Sequence, residues 1–170
     1  MARDHDEEFV EFATASLSGL RRTGYLMCGD WQHAEDAAQE ALNRVYRSWH
    51  RVERREGLLA YARRTTVRIL IDQSRRPWRR ETSADLSAHD AALPDPTDRW
   101  DERDAMVRAL SSLSPRRRAC VVLRYYHDLS VAETARALGC SEGTVKSQTS
   151  DALRALRPLV GEVVDTRSQR

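Results

Sequence analysis

Cysteine is scarce: Cys28, Cys120 and Cys140 stand at wide spacings, with no CxxC pair and no histidine at ligand distance. That pattern argues against a disulfide framework or a zinc site and leaves three reduced thiols. No run approaches the roughly 18 apolar residues that a membrane-crossing helix needs. The opening MARDHDEEF has neither the basic region nor the apolar core of a leader peptide. The expectation is a chain with no direct membrane insertion that stays in the cytoplasm. No segment alternates with period 2 and no internal repeat is visible, so strands are not expected. Also missing are a nucleophile paired with a base, a glycine-rich phosphate loop and metal-ligand spacing, which argues against an enzyme and for no cofactor. Lysine is nearly absent too: of 28 basic residues all but Lys146 are arginine, the side chain suited to bidentate contact with phosphate or guanine.

What is present is charge, segregated along the chain behind a net of only +2. Residues 1–43 hold 3 basic and 9 acidic side chains; residues 44–80 hold 12 and 3; residues 81–106 hold 2 and 8; residues 107–160 hold 9 and 4. An Arg-rich coding bias on solvated helix faces would explain the arginines but not this alternation. Two basic blocks separated by an acidic one suggest two polyanion-binding surfaces on a tether.

Apolar residues recur at helical spacing in most of the chain. Phe9, Phe12, Ala13, Leu17 and Leu20 predict a helix over 7–26. Asp30 is placed to cap a second, over 31–52, with Ala34, Ala38, Ala41, Leu42, Val45 and Trp49 on one side. A third runs over 58–76 with Leu59, Ala62, Val67, Leu70 and Ile71 inward, stopped by Pro77. Residues 81–103 carry two prolines and little periodicity and read as a flexible acidic linker. Helical pattern resumes over 104–113. Ser114 then caps, and Pro115 takes the first position of, a helix reaching Leu129. Ser130 and Glu133 form a capping box for a helix to Leu138, Gly139 supplies a turn, and Ser141 caps a last helix, after which 161–170 reads as a fraying tail. The fold class is therefore all-α, two small helical domains on a linker.

The glycine turn between two capped helices is the spacing of a helix-turn-helix. On the second of these helices Val145, Thr149, Ala152, Leu153 and Leu156 fall on one side, as core. Gly143, Thr144, Ser147, Ser150 and Arg154 fall opposite, as a reading face. Glycine and short hydroxyls admit a close approach to a DNA groove, and Lys146 and Arg154 can neutralise phosphates. A capped helical hairpin inside a bundle would share the spacing but not the basic surroundings.

The segments HAEDAAQEALNRVYRSW (33–49), AYARRTTVRILIDQSRR (60–76) and LSPRRRACVVLRYYHDLSVAETARALGCSEGTVKSQTSDALRAL (113–156) resemble, in order and spacing, the extracytoplasmic-function (group IV) sigma factors of bacterial RNA polymerase, most nearly their actinobacterial SigE-like branch. The resemblance implies a σ2-like domain over 1–80 and a σ4-like domain over 104–160. It implies docking of Asp36, Gln39 and Glu40 on the β′ clamp helices of core RNA polymerase; physically, their i, i+3, i+4 spacing offers two carboxylates and an amide to a basic partner. It implies −10 recognition, with capture of a flipped base, by Tyr61, Arg64, Thr65, Arg68, Asp72, Arg75 and Arg76. It implies −35 recognition by Ser141, Gly143, Thr144, Lys146, Ser147 and Arg154. Its partners would be core polymerase, through the β′ clamp helices and the β flap, promoter DNA and, in many relatives, an anti-sigma factor. In relatives the linker threads the active-centre cleft.

Two positions depart from the family pattern. Arg68 stands where asparagine is common, and arginine cannot accept a hydrogen bond from a base. Asp151 stands where a basic residue is usual. A carboxylate there costs DNA affinity unless it accepts from a cytosine or pairs with Arg154, three residues on. The competing reading of the whole chain is a stand-alone helix-turn-helix regulator. It requires a ligand pocket or dimer seam, and residues 1–80 show no apolar surplus for one.

Overall fold

The computed structural model describes residues 2–52, 55–75 and 100–165, with side chains for 5–52, 55–75 and 104–159. All described elements are helical, as expected: α1 (Ala2–Cys28), α2 (Trp31–Trp49), α3 (Leu58–Ser74), α4 (Trp100–Ser111), α5 (Pro115–Val121), a π-helical turn (Val122–Tyr126), α6 (Val131–Leu138) and α7 (Glu142–Asp165). The chain divides into two compact units, Met1–Leu70 and Ile71–Arg170. The division falls inside α3. The linker expected over 81–103 lies outside the described residues except at its end, where α4 starts at Trp100 rather than Asp104.

In the first unit, α1 and α2 fold back on each other through Gly29, which takes φ 70°, and Asp30. The Asp30 carboxylate accepts from the His33 N–H at 2.7 Å and so satisfies one orphan donor of α2. Close packing follows from small residues: Ala34, Ala37, Ala38 and Ala41 are fully buried. Leu20, Leu42, Val45, Trp49, Leu58 and Ala62 form the core, with Phe9, Phe12, Leu17 and Tyr61 packed against it. On α3 the residue turned inward at the start is Leu58 rather than Leu59, and Thr66 joins the core because its hydroxyl donates to the Ala62 carbonyl at 3.0 Å.

α1 begins before the predicted Glu7 because long-range contacts hold its first turns. The Trp49 Nε1–H donates to the His5 carbonyl at 2.9 Å and the Tyr46 hydroxyl to Asp6 at 3.1 Å. Arg55 pairs with Glu8 and lies 4.3 Å from the centre of the Trp49 ring. That guanidinium holds the Glu8 carboxyl below the usual range. Sequence periodicity sees none of these partners, some 40 residues away.

In the second unit the predicted helix over 115–129 is interrupted. Its α-helical part ends at Val121 and one π turn follows, closed by the His127 N–H donating to the Val122 carbonyl at 3.2 Å. Asp128 then takes φ 53°, a left-handed conformation that aspartate tolerates, and Arg124 donates to the Leu129 carbonyl at 2.7 Å. The Ser114 side chain makes no capping bond to α5, although Pro115 sits at its first turn as expected. Arg118 instead does the joining work. Its guanidinium donates to the carbonyls of Leu110 (2.8 Å), Ser111 (3.0 Å) and Leu113 (3.1 Å), at and just after the end of α4. Arg118→Ala is expected to destabilise this unit by about 2 kcal/mol, read by urea denaturation.

The two helices of the helix-turn-helix form as their caps predict. Ser130 Oγ accepts from the Glu133 N–H at 3.1 Å while the Glu133 carboxylate accepts from the Ser130 N–H at 2.7 Å. That backbone bond, then the side-chain bond, holds the Glu133 carboxyl below its ordinary value. Gly139 takes φ 65° and the Cys140 N–H donates to the Ala135 carbonyl at 3.1 Å, ending α6. Cys120, Ala135 and Val145 pack into one cluster, so the small side chain of Ala135 does permit the crossing. Burial pushes the Cys120 thiol up to about 11, helped by the neighbouring Cys140; it stays protonated, consistent with a reduced core thiol. α7 runs on to Asp165, past Pro158 and past the predicted start of a fraying tail.

Candidate polymerase and DNA surfaces

On α2 the burial of the alanine face turns the opposite face outward. Asp36 and Gln39 are exposed. Asp36 accepts from Gln32 Nε2 at 3.2 Å, and Gln39 donates to Glu35 at 3.2 Å. Glu35 in turn lies 3.1 Å from Arg21. Glu40 is half-buried and its carboxylate is taken by Arg44 Nε at 2.8 Å. The three predicted residues therefore share one helix, with Asp36 and Gln39 presented openly and Glu40 already paired. Gln32 and Asn43, both exposed, extend the stripe by one helical step each way; their i±4 offsets from Asp36 and Gln39 were the available signal.

On α3, Arg68, Asp72 and Arg75 are exposed and Arg64 is half-buried, its guanidinium 5.3 Å from the centre of the Tyr61 ring. Tyr61 itself leans on the core. Thr65 is buried, only 6% exposed. The reason is position, since it lies three residues after Ala62 and four before Ile69, both of which face inward. Arg76 lies outside the described residues.

On α7, Val145, Thr149, Ala152 and Leu156 are buried as expected, but Leu153 is 38% exposed and is not part of the core. Ser141, Gly143, Lys146, Ser147 and Arg154 are exposed and Thr144 is half-buried. Ser141 Oγ caps the helix, accepting from the Thr144 N–H at 3.1 Å, and its hydroxyl bonds that of Thr144 at 2.9 Å. Ser147 donates to the Thr144 carbonyl at 3.1 Å. A Cβ added at Gly143 would meet only Ser141 Oγ, at 3.8 Å, so nothing in the protein itself requires glycine there. Asp151 is half-buried, held by Arg117 of α5 and by Arg154.

Among the described residues no group of three His, Cys, Asp or Glu side chains is placed to hold a metal ion, and no helix is long and apolar enough to cross a membrane. The architecture defines a helical DNA-binding protein with an acidic-amide helix face in one unit and a helix-turn-helix in the other. Family models for Sigma-70 region 2 and Sigma-70, region 4 match residues 12–80 and 103–156. The chain is 33% identical to the RNA polymerase sigma-E factor of Streptomyces coelicolor over 165 residues, covering 95% of this chain and 91% of that one. It is 35% identical to the ECF RNA polymerase sigma factor SigL of Mycobacterium tuberculosis over 155 residues, 87% and 86% of the two chains. A solved structure of the sigma factor RpoE in complex with the anti-sigma factor NepR, from Bartonella quintana, shares the fold with a TM-score of 0.69 at 24% identity, covering 91% of this chain and 98% of that one. The chain belongs to the sigma-70 family, among its ECF sigma factors. It is a non-enzymatic initiation factor that binds core RNA polymerase and DNA and directs promoter-specific transcription.

Proposed function

We propose that this sigma factor divides its work among three helical faces. The exposed Asp36 and Gln39 stripe of α2, with Glu40 behind it, docks on the β′ clamp helices. α3 reads and opens the −10 element with Tyr61, Arg64, Arg68, Asp72, Arg75 and Arg76, while Thr65 supports them from the core. α7 enters the major groove at −35 through Ser141, Gly143, Thr144, Lys146, Ser147 and Arg154, and the σ4-like unit also meets the β flap. The protein works in the cytoplasm, on the nucleoid. An anti-sigma factor, such as accompanies the relative from Bartonella quintana, would act by covering these same faces.

The observation that carries this reading is Gly143. It sits in the first turn of a helix where an added Cβ would meet only Ser141 Oγ, at an ordinary contact distance of 3.8 Å, so nothing inside the protein calls for glycine, and close approach of a DNA backbone or base edge does. Gly143→Ala separates folding from DNA reading. The added methyl group improves helix propensity by up to about 1 kcal/mol, so the melting temperature should hold or rise. Binding of the holoenzyme to its preferred −35 duplex should fall at least about tenfold, read by fluorescence anisotropy. Unchanged binding would remove α7's amino-terminal turn from the interface.

A further inference from the structure

Asp151 carries a charge of the wrong sign for a helix that reads DNA, yet its carboxylate is paired within the protein. Oδ2 accepts from Arg117 Nη2 at 2.9 Å and Oδ1 from Arg154 Nη1 at 3.3 Å, so each oxygen is taken by a different guanidinium. The two arginines differ in what they can do next. Arg117 comes from α5, and its side chain is 40% exposed. Arg154 is 76% exposed and continues the outward stripe of Gly143, Ser147 and Ser150, spaced i, i+4, i+7 and i+11. A guanidinium has five donors in a fixed fork, and holding one of them leaves the rest aimed outward. A lone exposed arginine, by contrast, samples many rotamers and attracts any phosphate within reach.

We infer that Asp151 is a positioning residue for promoter selectivity: anchored by Arg117, it orients Arg154 on the reading stripe and lowers the unit's charge, exchanging indiscriminate DNA affinity for selectivity. The inference rests on the assignment of α7 to the −35 element. Each carboxylate oxygen already accepts from one arginine.

The test uses holoenzyme assembled from the full chain and core polymerase, the −35 duplex it selects from a randomised library, and a scrambled duplex of equal length. Asp151→Asn is expected to lower the selective-to-scrambled affinity ratio by about fivefold, chiefly by tightening scrambled binding. The slope of log affinity against log salt should steepen by up to about one as a cation is released to bind phosphate. Asp151→Glu should keep most of the ratio. Arg154→Gln should lower it as well, and the double variant should be no worse than Arg154→Gln alone, because one residue acts through the other. A wild-type holoenzyme indifferent to −35 sequence would instead refute the assignment of α7. A selective wild type whose ratio and salt slope are unmoved by Asp151→Asn would overturn this inference alone. So would additive losses in the double variant, the signature of a general loosening of the unit.

Discussion

Asp36→Arg combined with Gln39→Ala is expected to abolish productive assembly with core polymerase while leaving the fold intact. Both side chains point away from the alanine face of α2 that packs on α1, and neither supports the core. Their loss therefore costs the protein little stability; exposed substitutions of this kind usually fall within about 0.5 kcal/mol. Against a basic partner the effect is different. The double change removes an attractive carboxylate, inserts a repulsive guanidinium and deletes the amide beside it. Breaking a desolvated charge contact costs about 2–5 kcal/mol, or at least about 30-fold in affinity. Co-purification and anisotropy with labelled core polymerase measure it, with circular dichroism as the control for folding. Retained assembly would move the docking surface elsewhere.

Gly24→Ala should give the opposite separation, a folding defect with no direct change to any docking surface. A Cβ at this position would stand 2.8 Å from Ala34 Cβ, 2.9 Å from Ala34 Cα and 3.1 Å from the Ala34 carbonyl oxygen. Two of those atoms are backbone, so no rotamer change relieves the overlap and α1 and α2 have to move apart. The helix-propensity gain of alanine over glycine, up to about 1 kcal/mol, acts against this. Overpacking of about 1–3 kcal/mol, with loss of contact along the buried Ala34, Ala37, Ala38 and Ala41 seam, outweighs it. Net destabilisation of about 1–2 kcal/mol should appear as a lower urea midpoint. A midpoint equal to wild type would mean that the helix crossing is more compliant than its alanine seam suggests.

How much of this was legible in the sequence depended on whether the signal was local. Caps were readable from neighbours: Asp30, the Ser130–Glu133 box, Gly139 and Ser141 each work over three or four residues, and each forms. The outward face of α7 was likewise a matter of helical phase. Phase misled at the margins of a face. Leu153 sits near the boundary between inside and outside, where 100° per residue cannot decide and the packing partner does. Partners distant in sequence could not be seen at all. The early start of α1 depends on Tyr46, Trp49 and Arg55, the end of α4 on Arg118, and the state of Asp151 on Arg117, 34 residues earlier. The π turn over Val122–Tyr126 had no local mark, since VLRYY is compatible with ordinary helix.

These partners change what the charges mean. Counted along the chain, Glu40, Asp151 and Arg154 are three formal charges available to polymerase or DNA. In the fold, Glu40 is paired with Arg44, and Asp151 is shared between Arg117 and Arg154. The surfaces left open are narrower than the sequence count and better defined: Asp36 with Gln39 on α2, and Gly143, Lys146, Ser147 and the outward end of Arg154 on α7.

The most direct measurement is run-off transcription by core polymerase and the full-length protein on a library randomised at −35 and −10. The account predicts discrete start sites that depend on bases in both elements, with the −35 dependence weakened by Gly143→Ala and all starts lost with Asp36→Arg/Gln39→Ala. Sequence-specific DNA binding by the protein alone, with no polymerase-dependent starts from any template, would contradict it.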